Sequence, residues 1–417
     1  MAAGQRVYAL CFRLGLVFVM AAAPAVVLAQ KPGSTAILAE PDFIARGIDA
    51  VTRTLGDGTE INNGFYPELS NFPTGSGWIS AGPGYRHWFY GDQVFVDGSA
   101  AISWRSYKMA QGRFELLPRL ARSRFALGTH VRWQDLTQVT YFGPGAESLE
   151  SNRSEYRLRS TNLATYVTVR PNQCLAIGGR IGWLDRPAVL PPAGSFERGH
   201  PPTEEVFSSD PVFATDVQPS FAYRDVSVTV DTRDQRSHPT TGGVYRAALT
   251  GFTDQDHGTF SVRRSEAEAA HFIPVSRTPV VLALHGWLAA SDTAAGATVP
   301  FYLQPSLGGH NTLRGYTDYR FHDRNLFVVN VEARVTLFAH VDAAVFADAG
   351  NVAARVSELN LDKRSYGIGW RMHSRTSTFA RFDLARGAEG WRVLFRLNDP
   401  LHLSRMTRRL APVPFVP

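Results

Sequence analysis

The chain is 417 residues long with a formal charge of +6, a length that suits one large β domain or two ordinary ones. The positive excess is small and its arginines are scattered, so the composition excludes a clustered nucleic-acid-binding stripe. Of the two cysteines, Cys11 falls in a segment expected to be removed, which leaves Cys174 without a disulfide partner; it reads as a small packed residue.

In chain order, Arg6 and Arg13 make a basic start with no acid before Glu40. The apolar run Leu14–Met20 follows, and Val27-Leu28-Ala29 supplies a small-residue processing site. This order predicts a secretory signal peptide over 1–29; the competing reading, an N-terminal membrane anchor, is disfavoured by the short apolar run. Residues 30–63 read as a leader. Within it, Phe43, Ile44, Ile48, Val51 and Leu55 stand at helical spacing, with Asp42 early and Gly56 just after, so Pro41–Leu55 is predicted to be an amphipathic helix. The competing reading is a short solvated leader; as a helix, a plug and a periplasmic docking role are both open to it.

No later apolar run reaches the roughly 18 residues that a membrane helix needs. Instead, segments of about ten residues alternate in polarity between turn residues, the pattern of a membrane β-barrel. In Asn325–Leu337, Phe327, Val329, Val331, Val335 and Leu337 oppose Asn330, Glu332, Arg334 and Thr336. Tyr366, Ile368, Trp370 and Met372 oppose Arg371 and His373, and Trp391, Val393 and Phe395 oppose Arg392 and Arg396. The charged polar faces favour a barrel with a polar lumen over a soluble sandwich. The predicted fold class is therefore all-β: a transmembrane antiparallel β-barrel over 64–398, with a short N-terminal helix before it and a tail over 399–417. About fifteen strand candidates are visible, and single-chain bacterial barrels have even strand numbers, so sixteen are expected. The missing strand is sought at Gly64–Leu69 or within Arg113–Phe142. Short turns at 170–173 and 274–277 belong to the periplasmic rim; Gly143–Arg153, Asp185–Pro219 and Thr293–His322 read as outer loops.

The third of these loops contains Ser306-Leu307-Gly308-Gly309-His310-Asn311-Thr312-Leu313-Arg314-Gly315-Tyr316, followed by Glu332 on one strand and Phe346-Ala347-Asp348-Ala349-Gly350 on the next. Here the sequence resembles the BamA/TamA family of outer-membrane barrels, also called the bacterial surface antigen family. That family carries a GG…(V/L)RG(F/Y) motif on a loop folded into the lumen, with acids on the following strands. The resemblance implies that Gly308, Gly309, Leu313, Arg314, Gly315 and Tyr316 form the lumen loop motif and that Arg314 pairs with Glu332 and Asp348. A lumen arginine needs such partners, because an unpaired buried charge is costly and a guanidinium suits bidentate carboxylates. The network reads as a lock on the loop or as part of transport. Asp231, Arg233, Asp234, Pro239 and Gly242 resemble the family's DxRD…PxxG periplasmic turn, a structural motif whose Pro and Gly supply turn geometry.

The resemblance implies a role in outer-membrane biogenesis, moving protein or lipid, among outer-membrane lipids and with a separate periplasmic POTRA-type or cargo protein as partner. The 47 residues from Gln30 to Ser76 leave no room for a POTRA domain, so the barrel is expected without one. The alternative is a stand-alone structural or pore-forming surface-antigen barrel. No HExxH helix, GxSxG elbow, CxxC pair or P-loop occurs, so no catalytic residue, metal ligand or cofactor site is read, and an enzyme is not expected.

Overall fold

The computed structural model describes residues 36–55, 63–69, 80–117, 124–193, 200–215, 217–236, 238–374 and 378–396. The expected signal peptide over 1–29 and the tail over 399–417 lie outside the described residues. A helix, α1 (Asp42–Leu55), precedes the strands β1 (Gly64–Leu69), β2 (Ser80–Phe89), β3 (Val94–Ser103), β4 (Lys108–Leu116), β5 (Phe125–Tyr141) and β6 (Ser154–Val169). Next come β7 (Leu175–Leu190), β8 (Phe221–Asp231), β9 (Gly242–Asp254), β10 (Val262–Pro274), β11 (Val280–Thr293), β12 (Ser306–Leu307) and β13 (Phe321–His322). The last five are β14 (Asn325–Phe338), β15 (Val341–Ala353), β16 (Lys363–His373), β17 (Thr378–Gly387) and β18 (Gly390–Arg396).

Sixteen of these strands make one antiparallel sheet in the order β1 to β11 and then β14 to β18, while β12 and β13 pair only with each other. The count agrees with the even number expected, and the strand missing from the clearest alternation is β1. It is short and its Pro67 lies opposite Pro83, so neither donates to the ladder and the segment reads weakly as a strand. β11 pairs directly with β14, so the chain between them leaves the sheet and returns.

Burial is inverted relative to a water-soluble protein. In β16, Tyr366, Ile368, Trp370 and Met372 are exposed, while Ser365, Arg371 and His373 are buried. Val226 and Val228 of β8, Val345 of β15, Phe382 of β17 and Val393 of β18 are exposed in the same way, whereas Arg314, Arg371 and Arg381 are among the largest fully buried side chains. A continuous apolar exterior around charged interior groups is stable only where lipid is the outer solvent.

The connections alternate around the rims. Residues 170–174, 275–279 and 339–340 form short turns on one side, and the three longest connections, 142–153, 191–220 and 294–324, lie on the other. The second of these begins later than the predicted Asp185, because β7 runs on to Leu190. Pro187 is tolerated there because the β6–β7 register shifts between Arg159 and Thr161, so the proline sits at a bulge without a ladder bond to give up. Cys174, expected to be packed, is exposed at the turn before β7.

The apolar interior gathers at the long-loop end. Tyr141, Tyr156, Phe221 and Phe252 from four strands pack against Val299, Phe301, Tyr302 and Leu303 of the 294–324 loop. The Phe301 ring lies 4.7 Å from Tyr141 and 4.9 Å from Tyr156. At the opposite rim, the leader before α1 adds two backbone bonds to β14. Ile37 N donates to Thr336 O at 3.2 Å and Leu38 N to Leu337 O at 3.0 Å. Leu337 sits in a β14–β15 register shift, so its carbonyl is free for this contact. Glu40 then accepts from the His340 backbone N at 3.1 Å and lies 2.8 Å from His340 Nδ1.

Candidate functional site

Three glycines let the 308–316 stretch descend into the lumen. Gly308 and Gly309 have φ of +115° and +88°, the left-handed region, and a Cβ on either would collide with Thr317 or Asp318. Gly315 is required for space: a Cβ there would lie 2.5 Å from Gly387 N and 2.6 Å from Ser365 Cβ. Between them, Leu313 and Tyr316 are buried with Leu307, Phe321, Trp287 and Val328, a small apolar seat on β11 and β14.

This seat delivers Arg314, which is fully buried, to the lumen wall. Its Nη2 donates to Asp348 Oδ1 at 2.7 Å, its Nε to Oδ2 at 3.0 Å, and its backbone N to Oδ2 at 3.1 Å. Nη1 donates to Glu332 Oε2 at 2.6 Å. The guanidinium also stacks over the Phe346 ring at 3.4 Å, which gives its flat face an apolar partner while the edge is hydrogen-bonded.

Several partners in this network were not singled out from sequence. Arg371 donates from Nη2 to Glu332 Oε2 at 2.8 Å and from Nη1 to Asp383 Oδ1 at 2.6 Å. Charges therefore alternate along Asp348, Arg314, Glu332, Arg371 and Asp383. Arg381 adds a third cation and donates to the loop carbonyl of His310 at 3.0 Å. Asn330 donates to Thr312 O at 2.6 Å and to Asp348 Oδ1 at 2.8 Å, and Ser365 Oγ lies 3.0 Å from Asp348 Oδ2. The ladder explains the grouping: Asn330 lies opposite Asp348, and Asp348 opposite Ser365, on three successive strands. Arg314 and Arg371 each pair with two of the three carboxylates, so these five groups avoid the uncompensated charge that makes buried ions expensive. Within the inward loop, burial holds the His310 imidazole down to about 3 and the His322 imidazole down to about 3, so both stay neutral at ordinary pH.

At the other rim, the residues of the second motif form the β8–β9 turn. Arg233 donates to both oxygens of Asp231, from Nε at 2.8 Å and Nη2 at 2.9 Å. Asp234 accepts from Thr240 N at 2.9 Å and Thr241 N at 3.2 Å, closing the turn. Gly242, at φ +83°, packs where a Cβ would meet Thr232 O. The turn reaches across the rim as well: Arg334 of β14 donates to Pro239 O, and His238 Nδ1 lies 3.0 Å from Thr378 Oγ1 of β17.

Residues 222–386 match the family model described as the Omp85 superfamily domain, a range that includes both motifs and the whole arginine network. No curated protein sequence matches the chain significantly. Among solved structures, the chain is similar to BamA from Haemophilus ducreyi lacking POTRA domains 1–3, at 14% identity and a TM-score of 0.57, over 86% of this chain and 81% of that one. It is also similar to CdiB from Escherichia coli, at 13% identity and a TM-score of 0.53, over 81% of this chain but only 62% of CdiB. At such identities the likeness speaks for the barrel fold. Together with the inverted burial and the sixteen-stranded sheet, these matches identify the chain as an outer-membrane β-barrel in which residues 222–386 are similar to the Omp85 superfamily domain.

Proposed function

We propose that this barrel works in outer-membrane biogenesis, handling protein or lipid cargo without enzymatic chemistry, and that Arg314 with Glu332 and Asp348 acts as the lock on its inward loop. The observation that carries this reading is the buried charge chain that ties the loop to β14 and β15. A lock of this kind holds loop residues Phe301, Leu303, Leu313 and Arg314 inside the barrel, all of them buried. That counts against the alternative of a permanently open pore.

The cargo or assembly partner is proposed to meet the periplasmic rim, where α1 and the β8–β9 turn lie. Phe43 on α1 is 70% exposed and so is free to contact a partner, which favours the docking reading of the helix over the plug. Photo-crosslinking from Phe43 and from the exposed turn residue Arg236, in cells, is expected to capture a periplasmic protein. A chain that crosslinks to none and shows steady ion conductance in planar bilayers would instead be a stand-alone pore.

A further inference from the structure

Two histidines and an aspartate meet at the periplasmic rim from three separate elements: His238 in the β8–β9 turn, Asp342 at the start of β15 and His373 at the end of β16. All three are buried. His238 Nε2 lies 3.5 Å from Asp342 Oδ2, and His373 Nε2 lies 3.3 Å from Asp342 Oδ1. One ligand atom from each residue falls within 4.8 Å of the other two. The two imidazoles stack at 3.8 Å with an interplanar angle of 11°.

The outer side of each ring is already engaged. His373 Nδ1 lies 2.8 Å from Ser374 O, a carbonyl that can only accept, so Nδ1 carries the proton. His238 Nδ1 lies 3.0 Å from Thr378 Oγ1, a hydroxyl able to accept its proton in the same way. In that tautomer both Nε2 lone pairs face the Asp342 carboxylate, one toward each oxygen, with no hydrogen between them. Protonated rings would close this gap with charge-assisted bonds of about 2.7–2.9 Å, shorter than the separations here, and would stack two cations. Ligands about 2.0–2.2 Å from a tetrahedral ion stand roughly 3.3–3.5 Å apart. An imidazole lone pair lies in its ring plane, so both rings would turn out of their stack to place Nε2 on one ion beside a single Asp342 oxygen. Outward N–H groups held by a carbonyl and a hydroxyl are also the support that metal-binding imidazoles use.

We propose that His238, Asp342 and His373 bind a borderline divalent transition-metal ion of the zinc class, with a fourth position left for water. Nitrogen and carboxylate ligands without thiolate suit such an ion. The neighbouring cation, Arg334, turns its guanidinium to Pro239 O and the Phe272 ring and donates no hydrogen bond to Asp342. The ion would staple the β8–β9 turn to the β15–β16 end of the sheet. It would do so beside the leader, since His373 N donates to His340 O and His340 meets Glu40.

The test uses tag-free full-length protein, refolded in detergent and freed of metal by chelator dialysis. Titration with Co(II) is expected to give visible absorption bands that saturate at one equivalent and vanish on adding Zn(II). His238→Ala and His373→Ala, each checked for folding by heat-modifiable gel mobility, are expected to bind at least about tenfold more weakly. His257→Ala, in an outer loop, is expected to bind as the parent does. X-ray absorption at the zinc edge of the loaded parent protein should show two imidazole nitrogens, a readout that needs no variant. A parent chain that takes up no stoichiometric metal, a zinc shell without imidazole, or folded histidine variants that bind like the parent would overturn the proposal.

Discussion

The 294–324 loop is held inside the barrel at two places by opposite means. At 299–303 the anchor is apolar: Phe301 and Leu303 are almost wholly buried among aromatic rings from β5, β6, β8 and β9. At 308–316 it is ionic, with Arg314 shared between Asp348 and Glu332. The apolar anchor needs only shape and area, and many side-chain sets could fill it. The ionic anchor tolerates little, because each partner removed leaves a buried charge behind. This difference accounts for a recognisable short motif at one anchor and none at the other.

The comparison can be broken most severely at Arg314. Arg314→Ala leaves Glu332 and Asp348 short of a cation, and is expected to cost about 3–5 kcal/mol of barrel stability. Urea titration followed by heat-modifiable gel mobility measures it, and Arg314→Lys should recover only part, lacking the bidentate fork. Phe301→Ala is expected to cost about 3 kcal/mol in the same assay. The double variant sharpens the contrast: independent anchors give additive losses within about 0.5 kcal/mol, while one cooperative loop does not.

Smaller effects are expected around the ionic anchor. Gly315→Ala forces the loop away from Ser365 and Gly387, costing about 1–3 kcal/mol, seen as a lower urea midpoint. Asn330→Ala removes the amide that bridges Thr312 O and Asp348, for about 1–2 kcal/mol. Mild acid acts on the same loop. The unfolded chain protonates histidine near about 6.5, whereas the folded loop holds His310 and His322 down to about 3. Between those values the unfolded state binds more protons, so stability falls as pH drops through the window. A urea midpoint unchanged between about pH 7.5 and about pH 4.5 would show that these imidazoles are not buried as described.

Much of the wall was legible in the sequence because a barrel strand writes its two faces in alternate residues. Tyr366 to His373 and Asn325 to Leu337 each declare which side meets lipid, and the structure exposes Tyr366, Ile368 and Val331 accordingly. β1 was faint for want of length and because of its proline, and the end of β7 was hidden by Pro187, which marks a turn in most contexts and a bulge here.

The sequence by itself determined the β-barrel class, most of its strands and the loop that carries Arg314, because periodicity and turn residues are local properties of the chain. Only the tertiary structure decided which charges share the lumen. Arg371 and Asp383 join the Arg314 network, and His238 joins Asp342 and His373, through strand register and through a turn that crosses the rim. Those pairings depend on distances between residues far apart in the chain. Curling the sheet around a loop brings them within a few ångströms, and no local pattern records that.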